Sequence, residues 1–223
     1  MTRRLTVSAA LALVGFAVGF FFFFSQPEES FDPFGAAFAQ TADDVDTSMI
    51  KEMSMGNPDA KVTVIEYASF TCPHCAAFHA DNFKKLKADF IDTGLINFIN
   101  REIYFDRPGL WAGITARCGD NAESRYFGII DMIYEQQSDW ASSSNSPTQM
   151  VEKLRRIGKT AGLTDADLDQ CFTDGARAEA LWATFLKNSE ADGIRSTPSF
   201  VINGDLHSNM PYAQMKSLIE DQL

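Results

Sequence analysis

Cysteine, histidine and basic charge are all scarce in this chain of 223 residues. It has four cysteines and three histidines, and its 19 lysines and arginines are outnumbered by 30 aspartates and glutamates, so the formal charge is -11. Without a basic excess the chain cannot neutralise many phosphates, which argues against a general nucleic-acid binder. A chain of this length can bury a sizeable core. It therefore does not need disulfide bonds merely to fold.

The N-terminal segment predicts export. Arg3 and Arg4 precede twenty residues without a charge, Leu5 to Phe24. Such a run can cross a hydrocarbon core of roughly 30 Å as a helix, and the arginines hold its start in the cytoplasm. A small-x-small cleavage signal, Ala37 to Ala39, lies far downstream of the run. Residues 1–24 are therefore either a cleaved signal or a membrane anchor, and residues 25–48 are expected to be a linker.

The next segment predicts a βαβ unit. The run from Lys61 to Ser69 is rich in β-branched residues and is typical of a buried strand. A helix is expected to begin at Cys72 and Pro73, and Leu95 to Phe105 is predicted to be a second strand. The two strands should be parallel and the crossover right-handed.

The rest of the chain predicts an α/β core interrupted by helices. Helical spacing recurs from residue 106 to 193, with an N-cap and a capping-box glutamine at Ser146 and Gln149. A strand follows at Ser199 to Ile202, and a closing helix is expected from about Pro211. We therefore expect a core made of residues 49–105 and 194–223, with a helical insertion at 106–193.

The sequence Phe-Thr-Cys-Pro-His-Cys places two thiols three positions apart at the predicted start of a helix. Unpaired amide groups and the helix dipole favour an anion there, so Cys72 should ionise readily, and the thiolate is the reactive form in disulfide exchange. Pro73 loses no helical hydrogen bond at this position. His74 can place positive charge or a donor beside the sulfur. Cys75, one turn later, can resolve a mixed disulfide at Cys72.

Other uses of this pair stay open at this point. A structural disulfide would close a very short loop and gain little. A zinc site would need two further ligands, for which the chain offers Cys118, Cys171, His79 and His207. A copper site could add Met49, Met53 and Met55, although methionines are also common packing residues.

Two segments carry a family resemblance. The sequences IEYASFTCPHC and STPSFVING resemble the DsbA-type thiol:disulfide oxidoreductases of the bacterial periplasm. The resemblance implies a thioredoxin fold, a mixed sheet flanked by helices, with an inserted helical subdomain. It also implies dithiol/disulfide exchange at Cys72, Pro73, His74 and Cys75 without a bound cofactor.

The resemblance assigns roles to three further residues. Pro198 matches the cis-proline of the fold, and Thr197 is then expected to offer its backbone to an extended substrate peptide. Without the resemblance, Pro198 would be a trans proline beginning an edge strand. Glu66 matches a buried acid that relays a proton to or from Cys75; otherwise it would face solvent. His79 is expected to be a helix-face residue that takes no part.

Cys118 and Cys171 both fall in the predicted helical insertion. Free thiols are a liability in an oxidising compartment, so we expect these two cysteines to form a structural disulfide. A shuttle pair that passes electrons to Cys72 and Cys75 is the alternative.

The predicted function is the introduction of disulfides into cysteine-containing exported proteins. The location would be the periplasm, with the protein either soluble or tethered to the inner membrane by residues 5–24. A membrane partner, quinone-linked in the resembled family, would reoxidise the pair. Thr197 replaces the valine of the best-known oxidase, so a reductase or isomerase is an alternative, although residues 40–55 are too few for the dimerisation domain of isomerases. A non-catalytic exported protein that binds copper or peptides is the other alternative.

Overall fold

The computed structural model describes residues 45–223. The proposed signal or anchor at residues 1–24 and nearly all of the proposed linker at 25–48 lie outside these residues. Within residues 45–223, every helix is too short or too polar to cross a bilayer.

A mixed β-sheet forms the centre of the described part of the chain. Its strands are β1 (Met53–Gly56), β2 (Val62–Ala68), β3 (Ile96–Glu102), β4 (Ser199–Ile202) and β5 (Asp205–Ser208). They are arranged in the order β1-β3-β2-β4-β5. The predicted parallel pair is present as β2 and β3, and the other neighbours are antiparallel. The central strand β2 leads directly to the two close cysteines.

A long helical segment follows β2 and packs on the sheet. It consists of α1 (Pro73–Ala77), a π-helical stretch (Phe78–Asn82), α2 (Phe83–Leu86) and a second π-helical stretch (Lys87–Ile91). Phe83, Leu86 and Phe90, which the sequence placed on one face, are all buried. The segment therefore lies against the sheet along its whole length, with Cys72 at its start.

Six helices lie between β3 and β4. They are α3 (Arg107–Ala116), α4 (Ala122–Glu135), α5 (Gln137–Trp140), α6 (Pro147–Thr160), α7 (Asp165–Thr173) and α8 (Gly175–Ala191), and α9 (Tyr212–Glu220) follows the sheet. The hydroxyl of Ser146 accepts a hydrogen bond from the backbone N–H of Gln149, and Gln149 Oε1 accepts one from the backbone N–H of Ser146, so the predicted capping box is present. The helices α3 to α8 lie within the segment 106–193 that the sequence assigned to an insertion.

The alternation of side chains along β2 decides what lies beneath the cysteines. Val62 and Val64 pack into the core that includes Phe78 and Phe83, whereas Tyr67 packs on the opposite face. Side chains two apart on a strand share a face, so Glu66 points the same way as Val64. A carboxylate thus lies at the end of an apolar stripe, under the helical segment.

A buried ion pair joins the sheet to the inserted helices. Arg117, just after α3, donates two hydrogen bonds to Glu102 of β3, from Nε at 2.6 Å and from Nη2 at 2.8 Å. Arg117 Nη1 also donates to the carbonyl of Lys51 at 2.7 Å. The Tyr126 hydroxyl lies 2.6 Å from Glu102 Oε1 and 2.7 Å from Asn100 Oδ1. Because these groups satisfy one another, the insertion is fixed to β3 at this point.

Cys118 and Cys171 are joined by a disulfide at a sequence separation of 53. Cys118 follows α3 and Cys171 lies in α7, and both are buried. The bond therefore ties two helices of the insertion together, next to the Arg117 ion pair.

Candidate active site

Cys72 and Cys75 occupy the first turn after β2. Cys72 is the N-cap of α1 and has an extended backbone conformation, and Pro73 is the first helical residue. The two cysteines are free thiols; Cys72 is partly exposed and Cys75 is buried. Incoming molecules can therefore reach the first sulfur but not the second.

The hydrogen bonds at the Cys72 sulfur favour its thiolate. A hydrogen bond from the Cys75 thiol makes the largest contribution, burial opposes it, and hydrogen bonding to Thr197 and the backbone N–H groups of Cys75 and His74 assist; together they lower the pKa of Cys72 to about 5. The sequence predicted the contribution of the helix amides. The larger contribution of the neighbouring thiol depends on how the two side chains face each other, which the sequence did not show.

Cys75 behaves in the opposite way. Its hydrogen bond to Cys72 requires the proton to stay on Cys75, and burial and the charge of Glu66 add to this effect, so the pKa of Cys75 is raised far above its ordinary value. The pair therefore consists of a partly exposed thiolate and a buried thiol at neutral pH.

Thr197 and Pro198 lie directly across from Cys72. The Thr197–Pro198 peptide bond is cis, and the Thr197 carbonyl oxygen lies 3.5 Å from Cys72 Sγ. Pro73 and His74 are exposed beside the sulfur. The structure thus brings together the residues that the sequence proposed for the site from both halves of the core.

Gln137, which the sequence analysis did not single out, holds the active-site turn from the insertion. As the first residue of α5, it donates from Nε2 to the carbonyl oxygens of Phe70 at 2.8 Å and Cys72 at 3.0 Å. The contact joins residues more than 60 positions apart, and no local pattern in the sequence indicates it.

Glu66 is completely buried and is held by two donors. Its Oε2 accepts hydrogen bonds from Asn100 Nδ2 and from His79 Nε2, each at 3.0 Å. Asn100 lies beside Glu66 because β2 and β3 pair in that register. The alternative of a solvent-facing glutamate is therefore wrong.

His79 lies on the helical segment, as expected, but it is buried and contacts Glu66. Its side chain is only 2% exposed, it is bonded to Glu66, and its ring stacks on Tyr134 with centroids 4.2 Å apart. Its spacing, one turn after Cys75, was a usable signal. The sequence also offered a signal that Asn100 is buried, because Asn100 continues the alternating buried positions of Ile96 and Phe98 along β3.

His79 is held between two carboxylates. Its Nε2 contacts Glu66, and its Nδ1 lies 3.9 Å from Asp131 Oδ1, whose side chain is 58% exposed. Burial opposes the charged ring, but the charges of Glu66 and Asp131 outweigh it and raise the pKa of His79 to about 9. At neutral pH, His79 is therefore an imidazolium.

A mixed sheet, a paired-cysteine helix start and an opposing cis-proline define the thioredoxin fold class. The model of the thioredoxin family matches residues 48–221. The chain therefore belongs to the thioredoxin family, and it is similar to a DsbA protein among the relatives described next.

The similar proteins come from bacteria. A Rickettsia bellii protein provisionally named protein-disulfide oxidoreductase is 34% identical over 76% of this chain and 63% of its own length. Disulfide bond formation protein D of Bacillus subtilis is 25% identical over 76% of each chain. The crystal structure of Wolbachia pipientis alpha-DsbA1 superimposes with a TM-score of 0.70 at 26% identity, covering 77% of this chain and 90% of that one. The chain thus spans less than two thirds of the Rickettsia relative.

We expect the Cys72 thiol of the reduced protein to titrate near pH 5, far below the ordinary value of about 8.5. The folded state then gains stability from this thiolate as pH rises from about 5, with the full gain above about 8.5, and loses it as pH falls through 5. Thiolate absorbance in the ultraviolet measures the titration, with Cys72→Ser as the blank. A midpoint at the ordinary value would contradict the assignment.

Replacing Gln137 by Met should remove both donors from the active-site turn while keeping the length of the side chain. We expect a loss of about 1–2 kcal/mol in the free energy of unfolding, because two partly buried carbonyls lose a partner. Chemical denaturation measures it. Gln136→Met is the matched control, since Gln136 is exposed; equal losses in both variants would show that the Gln137 bonds contribute nothing.

Proposed function

We propose that this chain is a thiol:disulfide oxidoreductase that introduces disulfides into exported proteins. The observation that carries the proposal is the unequal pair: an accessible sulfur stabilised as a thiolate at Cys72 and a buried sulfur that keeps its proton at Cys75. The names of the relatives, protein-disulfide oxidoreductase and disulfide bond formation protein, support it.

The reaction proceeds in two exchanges. A substrate thiolate attacks Cys72 Sγ of the oxidised enzyme, the bond between Cys72 and Cys75 breaks, and Cys75 leaves with the electron pair and takes up a proton. A second substrate thiolate then attacks the substrate sulfur of the mixed disulfide, and Cys72 leaves as a stabilised thiolate. The substrate has lost two electrons and two protons; the enzyme has gained the electrons and one proton, and the other proton goes to solvent.

The surroundings of Cys72 suit an extended peptide. The backbone of Thr197 before the cis bond lies next to the sulfur. A shallow depression beside His74 is lined in part by Phe78, Met210 and Pro211. A substrate can therefore bind by its main chain at Thr197 and by apolar side chains beside His74.

The lowered pKa of Cys72 favours the oxidising direction. An interaction that stabilises the thiolate stabilises the reduced enzyme, so the disulfide is more easily given up to a substrate. An isomerase or reductase is the second candidate, because Thr197 stands where the best-known oxidase has a valine.

We further propose a periplasmic location, with residues 1–24 as a cleaved signal or an anchor in the inner membrane. Arg3, Arg4 and the uncharged run after them support this. Each substrate turnover leaves the enzyme reduced, so a membrane redox partner must remove two electrons from the pair. The chemistry needs only the two sulfurs, and Cys118 and Cys171 serve as a structural disulfide.

The variant Cys75→Ser should accumulate a mixed disulfide. It keeps Cys72 as the attacking thiolate but lacks the sulfur that releases a bound partner, so incubation with an oxidised, disulfide-containing peptide should leave the peptide attached. Non-reducing mass spectrometry detects the adduct and its site. Cys72→Ser is the control and should stay free of peptide; adducts at Cys118 or Cys171 would contradict the role of Cys72.

The direction of electron flow is tested by the redox potential of the pair. Equilibration of the protein with glutathione mixtures, followed by alkylation and mass spectrometry, should give a couple more oxidising than the cytosolic glutathione poise. A couple at that poise would overturn the oxidase assignment in favour of a reductase. A protein that never exchanges with glutathione would favour a non-catalytic binding protein.

A further inference from the structure

A carboxylate from the inserted helices holds the turn that ends in Cys72. Asp106 is the N-cap of α3, and its Oδ1 accepts a hydrogen bond from the backbone N–H of Gly109 at 2.7 Å. Its other oxygen, Oδ2, accepts a hydrogen bond from the Thr71 hydroxyl at 2.9 Å. Thr71 is the residue directly before Cys72. One carboxylate therefore caps a helix and also holds the neighbour of the reactive cysteine, although neither exchange step uses Asp106 or Thr71.

We propose that Asp106 is a positioning residue for Cys72, acting through Thr71. By accepting the hydrogen bond of the Thr71 hydroxyl, it fixes the turn that directs the Cys72 sulfur towards the amide groups at the start of α1. This inference rests on the proposed function and extends it to the residue that holds the reactive sulfur in place. Asp106 itself does not react, and no proton or electron passes through it.

Ser69 extends this contact to both cysteines. The hydroxyl oxygens of Thr71 and Ser69 are 3.2 Å apart, and Ser69 Oγ also accepts a hydrogen bond from the Thr71 backbone N–H at 3.4 Å. The Ser69 carbonyl oxygen accepts a hydrogen bond from the Cys72 N–H at 3.1 Å, and a backbone hydrogen bond from Ser69 acts on Cys75. Ser69 is completely buried. The Thr71 hydroxyl thus joins Asp106 to a buried residue whose backbone contacts both cysteines.

Gly109 allows the start of α3 to approach the turn closely. A Cβ atom at this position would lie 3.1 Å from Asp106 Oδ1, 3.7 Å from Thr71 Oγ1 and 3.9 Å from Ser69 Oγ. The three polar groups therefore meet on one side of Gly109, with little room for a side chain between the helix and the turn. The helix and the turn are in direct contact at the point where the carboxylate joins them.

The direction of the Cys72 sulfur decides how well its thiolate is stabilised. Cys72 has an extended backbone, with φ of -83° and ψ of 119°, and the helix that it caps begins at the next residue. The Cys75 thiol and the backbone N–H groups of Cys75 and His74 all form hydrogen bonds with this one sulfur. Hydrogen bonds weaken steeply when their angles become unfavourable. A small rotation of the turn therefore weakens several donors at once.

The contact between Thr71 and Asp106 opposes such a rotation. A hydroxyl that donates to a carboxylate forms a charge-assisted hydrogen bond, which is stronger than a bond between two neutral groups. Gln137 holds the carbonyl oxygens of Phe70 and Cys72 in the same turn, but it does not hold the Thr71 side chain. The insertion therefore fixes the backbone of the turn from α5 and its side chain from α3.

The test is the variant Thr71→Val, which removes the hydroxyl and keeps the β-branched shape of the side chain. We expect the pKa of Cys72 to rise, with its acid dissociation constant falling about tenfold. The equilibrium constant for oxidation of glutathione by the pair should fall by about the same factor at pH 7, because the reduced form loses thiolate stabilisation. Ultraviolet thiolate absorbance measures the first quantity, and glutathione equilibration followed by mass spectrometry measures the second. Thr71→Ser keeps the hydroxyl and should restore both values.

A matched control separates positioning from general destabilisation. The Thr93 hydroxyl donates to the carbonyl oxygens of Asp89 at 2.9 Å and Phe90 at 3.1 Å, at the far end of the same helical segment. Thr93→Val should therefore lower stability in chemical denaturation without changing the pKa of Cys72 or the glutathione equilibrium.

A double-mutant cycle tests the part played by Asp106. Asp106→Ala removes the contact, the helix cap and a negative charge, so its own effect on Cys72 is mixed. Adding Thr71→Val to Asp106→Ala should change the pKa of Cys72 no further, because the contact is already absent. Asp174→Ala removes another N-cap, whose Oδ1 accepts from the Arg177 N–H at 3.0 Å at the start of α8. Adding Thr71→Val to Asp174→Ala should still give the full effect.

The outcomes are distinct. An unchanged pKa of Cys72 in Thr71→Val would overturn the inference and leave Gln137 as the support of the turn. Equal effects of Thr71→Val with and without Asp106 would also overturn it. Either result would leave the proposed function standing, since the unaltered protein would still exchange at Cys72. An unaltered protein that never exchanges with glutathione would instead overturn the proposed function, and this inference with it.

Discussion

The interaction between the side chains of Cys72 and Cys75 determines most of the chemistry of this molecule. It lowers the pKa of Cys72 and raises that of Cys75. The turn from β2 into α1 brings the two residues within one helical turn, and the burial of Cys75 decides which of them keeps the proton. Helix amides and Thr197 strengthen an asymmetry that the pair itself creates.

A polar interior extends from Glu66 well beyond the cysteines. Asn100 contacts Glu66 on one side and Tyr126 on the other, and Tyr126 contacts Glu102, which is paired with Arg117. Removing one member of a buried pair such as Glu102 and Arg117 typically costs about 3–5 kcal/mol, because the remaining charge stays buried. These contacts hold the insertion in place, and from the insertion Gln137 supports the active-site turn.

The sequence predicted the elements that carry strong local patterns. The β-branched run of β2, the strand β3 and the cap at Ser146 each depend on a few residues, and the structure has them. The sequence analysis did not predict the edge strands β1 and β5. Three of the four residues of β5 are exposed, and only its pairing with β4 makes it a strand.

The sequence predicted the site only in part, because it shows local motifs but not contacts between distant residues. The cysteines and Pro198 were found from short motifs, and Glu66 from the family resemblance. His79 lies one turn after the buried Cys75, but its bond to Glu66 depends on how the helical segment packs on β2, which the sequence does not show. Gln137 was missed because its partners are distant in sequence, and only the assembled fold brings them together.

The complete burial of Cys75 has a consequence for the accuracy of the chemistry. A nucleophile that diffuses up to the oxidised site meets a single electrophilic atom, so every encounter has the same regiochemistry. A molecule bonded to the inner sulfur would have to be displaced by the outer sulfur before the site could react again. The burial of Cys75 prevents such adducts by steric shielding. The selectivity of this centre between its two sulfur atoms is thus a property of shape, and it holds for any molecule that approaches the surface.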